Sequence, residues 1–340
     1  MIYLKRCLAS AFLFFLFACQ QEDVLEGFDK KKLFAEPTAE EINKVKEEWL
    51  KRDLSPLDFK VEQTHKIISD SILLKIISFR LMGMKQYAGV MLPITTKPLP
   101  IQLYVYGFAL DNTVTYQNLT IEKSNSETST LPFVYVVPAL RGQSLSLTIN
   151  GTEYTSPKSE GTRNDAFDGA TDDAIACLNA VTANFSEVDP DKVFVRGGSR
   201  GGTVALLMAE RDKRVKLSVG IAFPTDLIEL TSTHQNDPTY KFQFLDALID
   251  GTSSVEETRI KMIAGSPLYF YNQLPKTQMH FGDQDDITPA KQGKKLFDQM
   301  KESDLEQNIE FFIYKKRSHH NIGLDNLEME NRIRKFFEQI

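Results

Sequence analysis

The stretch KVFVRGGSRGGTVALLMAE, Lys192 to Glu210, constrains this chain more than any other part of it. It reads as a strand, a sharp turn and a helix, with Gly197, Ser199 and Gly201 forming Gly-x-Ser-x-Gly inside the turn. In that setting the pattern marks a strained bend that raises a serine hydroxyl above a sheet edge. Side chains two residues before and after the serine would collide unless they are hydrogen. Gly202 lets the helix lie close to the sheet, and Ala205 keeps that face small. The helix start brings free amides and its positive dipole end to the serine oxygen. A phosphate loop would need Gly-Lys-Ser/Thr, which is missing. A dinucleotide fingerprint belongs in the first βα unit, not this far along a chain of 340 residues.

The flanking pattern alternates. PIQLYVYGF (Pro100–Phe108), LPFVYVVPALRG (Leu131–Gly142) and KVFVRGG are continuous apolar runs, as expected of strands buried on both faces. The helical stretch Asp165–Phe185 precedes the glycine turn and a second helix follows it. Strand-helix alternation predicts a parallel sheet with right-handed crossovers. Before it, HKIISDSILLKIISFR and QYAGVMLPI predict an antiparallel meander. Thr38 with Glu41 forms a capping box, and Ile42, Val45, Trp49 and Leu50 recur at helical spacing behind it. Residues His234–Ile263 break the alternation and predict a short helical insertion, at about 230–263.

A serine needs a base, and the base needs an acid that fixes its tautomer. The expected order after the bend is Ser, Asp or Glu, then His. PKTQMHFGDQDDITP (Pro275–Pro289) is a short strand running into a loop with Asp283, Asp285 and Asp286. IEFFIYKKRSHHNIG (Ile309–Gly323) is a last strand followed by His319 and His320. Other readings are a calcium site in the acidic loop, which lacks the EF-hand spacing and its terminal Glu, and a solvated or metal-binding histidine pair. A net charge of -6 argues against a general nucleic-acid binder.

The N-terminus reads as a targeting segment. Lys5 and Arg6 precede a twelve-residue apolar run, Cys7 to Ala18, too short to span a bilayer. Leu16–Cys19 resembles a bacterial lipobox, with Phe17 bulkier than its usual occupant and Cys19 receiving the lipid. This gives a signal peptide at 1–18, a polar tether at 19–37 containing Lys30–Lys32, a folded domain at 38–340, and an exported, lipid-anchored protein in the cell envelope. Only Cys177 then remains. It cannot pair internally and is expected to be a small buried residue.

The runs GGSRGG, AGSPL (Ala264–Leu268), HFGDQDDITP and RSHHNIG resemble the catalytic domain of the prolyl oligopeptidase family, within the α/β-hydrolase superfamily, over roughly Val61–Ile340. The family pattern around its acid matches Gly282, Asp285 and Pro289, with Thr288 in a place that is usually apolar. The resemblance therefore implies a triad of Ser199, Asp285 and His320, with His319 as the alternative base, and requires no metal or cofactor. It implies an oxyanion hole from the amide of Arg200 and that of Phe108 or Ala109, although Tyr106 and Phe108 stand where the family has His and Gly. The Arg200 side chain is read as facing an anionic substrate group or a rim carboxylate, and Arg141-Gly142 as packing or substrate rim. Only about 60 residues precede the sheet, too few for the family's β-propeller. The expected function is cleavage of an acyl bond, most like that of a prolyl oligopeptidase-family serine peptidase, with a carboxylesterase as the alternative and a non-catalytic binding lipoprotein as the rival class.

Overall fold

The computed structural model describes residues 23–67, 72–108, 113–116, 133–149 and 151–339; Cys19, Ala109 and the signal segment lie outside them. Twelve strands are described: β1 (Leu57–Ile67), β2 (Ile72–Leu81), β3 (Met84–Pro93), β4 (Leu99–Val105), β5 (Thr113–Tyr116), β6 (Val134–Ala139), β7 (Ser144–Ile149), β8 (Thr152–Thr155), β9 (Val188–Gly198), β10 (Val215–Ile221), β11 (Lys276–Gly282) and β12 (Ile309–Tyr314). Nine of them form one sheet in the order β1-β2-β3-β6-β4-β9-β10-β11-β12. The first four in that order pair antiparallel, and every pair from β6 onward is parallel. The expected meander is thus the first edge of a mostly parallel sheet.

Seven helices matter here: α1 (Ala39–Lys51), α2 (Asp168–Asn184), α3 (Arg200–Arg211), α4 (Leu227–Thr233), α5 (Val255–Ala264), α6 (Ala290–Glu302) and α7 (Leu327–Phe337). Strand β9 shows how they are layered. Val193 and Val195 pack with α2 and α3, whereas Phe194 joins Ile333, Phe336 and Phe337 of α7 on the other face. With both faces covered, the central residues Val193, Phe194 and Val195 are all apolar, which is why that run is continuous. A small sheet, β5-β7-β8, packs Leu145, Leu147 and Ile149 against β2 and β3. Its strand β7 alternates polar and apolar residues, which puts Leu145, Leu147 and Ile149 on one face. The predicted insertion is helical, running from α4 through residues 238–249 to α5 between β10 and β11.

The capping box at Thr38 and Glu41 is present, and Val45 and Trp49 are buried. Trp49 is a packing anchor: its ring lies 4.4 Å from that of Phe270 and its Nε1 donates to Asp168 at 2.8 Å. Leu50 is 87% exposed, so it does not belong to the buried stripe. It sits about 100° round the helix from Trp49.

Residues 23–37 are not a loose tether. Leu25 and Leu33 are fully buried, and Asp29 caps a helical turn made by Lys30–Leu33. The buried Arg259 holds the segment, donating to the carbonyls of Lys32, Leu33 and Ala35 at 2.7–3.0 Å and to Glu41 at 2.7 Å. Two leucines and one arginine outweigh the polar composition that makes this stretch read as linker.

Cys177 is buried on α2, and burial pushes its thiol pKa up. Glu210 on α3 is also fully buried, with both carboxylate oxygens unpartnered among the described residues. Burial raises its pKa well above the ordinary value. The folded state therefore holds this proton more tightly than the unfolded chain, and the linked stability falls as pH rises from about 4.5 toward the folded pKa. Glu210→Met should remove that dependence and add about 1–3 kcal/mol at pH 8. Urea unfolding of both forms at pH 5 and pH 8 measures it.

Candidate active site

Ser199 sits between β9 and α3 with φ 53° and ψ -132°, a region that non-glycine residues rarely occupy. Its backbone amide donates to the carbonyl of Ile221 at 2.8 Å, which locks the bend onto β10. A Cβ on Gly197 would lie 2.0 Å from the carbonyl oxygen of Gly201. One on Gly201 would lie 2.1 Å from the carbonyl oxygen of Val105 on β4. Both glycines are therefore required, the second by the neighbouring strand. At Gly202 the close neighbour is Phe223, 2.6 Å from a built Cβ.

The acid and the base arrive from the next strand ends. Asp285 follows β11 and is buried, whereas Asp283 and Asp286 are exposed. His319 follows β12. Its Nε2 lies 3.0 Å from Ser199 Oγ, and its Nδ1 lies 3.0 Å from Asp285 Oδ2. The structure therefore seats His319, not His320, between the serine and the acid. The ring of His320 is perpendicular to that of His319, centroids 5.6 Å apart, and exposed. The loop turn decides between them. The Ser318 amide donates to Asn321 Oδ1 at 2.7 Å, the Ile322 amide donates to the Ser318 carbonyl, and Ile322 is buried against Met329 and Ile333. This register turns His319 inward and His320 out.

The carboxylate of Asp285 has four donors. Oδ1 accepts from the amides of Ile287 at 3.0 Å and Thr288 at 2.8 Å. Oδ2 accepts from His319 and, at 3.0 Å, from the Thr288 hydroxyl. Burial alone would raise its pKa, but the hydrogen bonds from His319 and Thr288 hold it below the usual carboxylate value. Asp285 is therefore ionised at neutral pH.

The third support follows β4. Gly107 stands against the nucleophile, since a Cβ built on it would lie 3.3 Å from Ser199 Cβ. The Arg200 side chain faces neither a rim carboxylate nor solvent. It is buried, and its Nη2 donates to the carbonyls of Tyr106 at 3.1 Å and Gly107 at 3.2 Å and to Gln143 Oε1 at 2.9 Å. Gln143 Nε2 reaches the Gly107 carbonyl at 3.3 Å. Burial, helped by the charge of Arg163, lowers the guanidinium pKa to about 9, so it remains charged at neutral pH. Arg163 and Arg200 flank the Phe108 ring at 4.4 and 5.8 Å. Phe108 also packs into the apolar cluster of Phe167, Tyr240 and Phe244, which joins the insertion to this loop. The sequence carried no sign that Arg200 and Gln143 hold this loop, because both act on backbone carbonyls from distant elements.

Arg141 is a packing residue: its guanidinium forms a two-pronged ion pair with the buried Asp173 at 2.9 Å and meets Asp165 at 2.5 Å. A cavity of about 370 Å³ between α1 and α5, lined by Val45, Arg52, Asp168 and Lys261 among others, includes none of Ser199, Asp285 and His319.

A mostly parallel sheet, covered by helices, with a serine on a strained bend and its neighbours at successive strand ends, defines an α/β-hydrolase. Residues 129–340 match the prolyl oligopeptidase family, to which this chain belongs; it is a serine hydrolase. A sequence search of curated proteins gave no match. Among solved structures, acetyl xylan esterase 1 from Thermoanaerobacterium sp. JW/SL YS485 is similar at TM-score 0.59 and 16% identity, over 86% of this chain and 91% of that one. Acetyl xylan esterase from Paenibacillus sp. R4 is similar at 0.62 and 17%, over 92% and 95%. An acylaminoacyl peptidase is similar at 0.59 and 15%, over 79% of this chain and 42% of that one.

Proposed function

We propose that this chain hydrolyses carboxylic esters of small acyl groups through an acyl-enzyme. Ser199 attacks the acyl carbonyl. His319 takes the hydroxyl proton and returns it to the leaving group, and Asp285 holds the imidazole tautomer and stabilises the imidazolium. The amides of Arg200, first in its helix and without an intrahelical acceptor, and of Phe108 are the candidate oxyanion donors. Water then attacks the acyl-enzyme and the same histidine acts as base. The observation that carries the reading is the pair of 3.0 Å contacts at His319, one to Ser199 and one to Asp285.

Near end-to-end likeness to two acetyl xylan esterases supports an ester over an amide. Gly107, whose built Cβ would lie 3.3 Å from Ser199 Cβ, crowds one side of the nucleophile. Family membership and the likeness to an acylaminoacyl peptidase support the second reading, a short peptide substrate. Purified protein is offered p-nitrophenyl acetate, butyrate and octanoate alongside aminoacyl and prolyl p-nitroanilides at equal concentration. Turnover of acetate above octanoate and above every anilide is expected; an anilide cleaved fastest would replace the ester reading with the peptide one.

The same proposal places the protein in the cell envelope, held by a lipid on Cys19. Because residues 23–37 pack on the body, only Gln20, Gln21 and Glu22 separate that lipid from the folded domain. Cys19→Ser should move the protein from the membrane fraction to the soluble exported fraction. Equal membrane recovery of both forms would contradict the anchor.

A further inference from the structure

The acid loop carries a threonine where the family pattern has an apolar residue, and its hydroxyl stands inside the relay. Thr288 Oγ1 lies 2.9 Å from His319 Nδ1 and 3.0 Å from Asp285 Oδ2. The residue is buried, and its own amide holds the other carboxylate oxygen. A hydroxyl has one proton to donate and lone pairs to accept with. Asp285 is ionised and can only accept. The Thr288 proton therefore goes to Asp285 Oδ2, and what the hydroxyl presents to His319 is a lone pair.

We infer that Thr288 is a positioning residue that selects the reactive tautomer of His319. With the hydroxyl proton committed to Asp285, Nδ1 faces two acceptors, Oγ1 and Oδ2, at nearly equal distance. A proton on Nδ1 satisfies both. A proton on Nε2 would leave Nδ1 as a third acceptor facing them. The arrangement therefore keeps the proton on Nδ1 and the Nε2 lone pair toward Ser199 Oγ, 3.0 Å away. The two contacts also anchor the Nδ1 edge of the ring at two points, which opposes its swinging away from the serine during the proton transfer. No bond changes at Thr288 itself.

The inference rests on the proposed roles of Ser199, His319 and Asp285, and its experiment separates the two. The probe is a fluorophosphonate, whose reaction at a serine needs the histidine to take the hydroxyl proton, and the rate is followed to saturation so that binding and the covalent step are read apart. Thr288→Val keeps the shape and loses the hydroxyl, and Thr288→Ser keeps the hydroxyl. For Thr288→Val the covalent step should slow by about 10- to 100-fold, with half-saturation within about twofold of wild type. Thr288→Ser should recover most of the rate. Thermal unfolding is measured on each protein; if the valine form is unfolded, Thr288→Ala takes its place against Thr288→Ser. A valine form that reacts as fast as wild type, or a serine form as slow as the valine form, overturns the role of Thr288. Wild-type reactivity in Ser199→Ala would instead overturn the assignment of the nucleophile on which it rests.

Discussion

Replacing His319 by alanine should lower kcat by roughly ten-thousand-fold or more, while His320→Ala should stay within a few-fold of wild type. The two side chains are adjacent in sequence and chemically identical, so composition and local charge are the same in both variants. What differs is position: His319 touches both Ser199 and Asp285 at 3.0 Å, and His320 is exposed with its ring turned perpendicular. Without the imidazole of His319 the serine hydroxyl keeps its proton and is a weak nucleophile. His319→Ala should match Ser199→Ala rather than add to it, because residues acting as one unit are strongly non-additive. Steady-state kinetics on the ester that turns over fastest decides this. Loss of activity in His320→Ala with retention in His319→Ala would reverse the assignment.

Arg200→Met should lower kcat by roughly 100- to 1,000-fold with little change in KM, the range found when an oxyanion donor is lost. The Arg200 side chain is buried against the loop after β4. It holds the carbonyls of Tyr106 and Gly107 and is itself held by Gln143, so it sets where the next amide, that of Phe108, stands relative to Ser199. Methionine fills similar volume but withdraws the Arg200 donation from both carbonyls, leaving that of Gly107 the 3.3 Å contact from Gln143 Nε2. The loop then moves, and the effect falls on the transition state, where the oxyanion forms, rather than on ground-state binding. Arg200→Lys should rescue only partly, because an ammonium group cannot copy the planar fork. An equal rise in KM and fall in kcat/KM at constant kcat would place Arg200 in substrate binding instead.

The parts legible in the sequence are those fixed by local sterics. Ser199 was legible because a strained bend tolerates only hydrogen at Gly197 and Gly201, and those glycines are written in the chain. Asp285 was legible through the spacing Gly282, Asp285, Pro289, and the buried strands through their unbroken apolar runs. His319 against His320 was not legible, because which neighbour turns inward depends on a loop register set by Ile322 docking on α7, a tertiary contact. Residues 23–37 read as tether because polar side chains outnumber the two leucines that bury themselves. The positions of Arg200, Gln143 and Thr288 were out of reach for the same reason: each acts on a partner brought close only by the sheet.

The most direct test of the central claim is to treat the folded wild-type protein with a fluorophosphonate, digest it, and locate the adduct by mass spectrometry. The account predicts one phosphonylated serine, Ser199, with no adduct in His319→Ala under the same conditions and full labelling of His320→Ala. A folded protein that takes no label, or carries it on another residue, would contradict it.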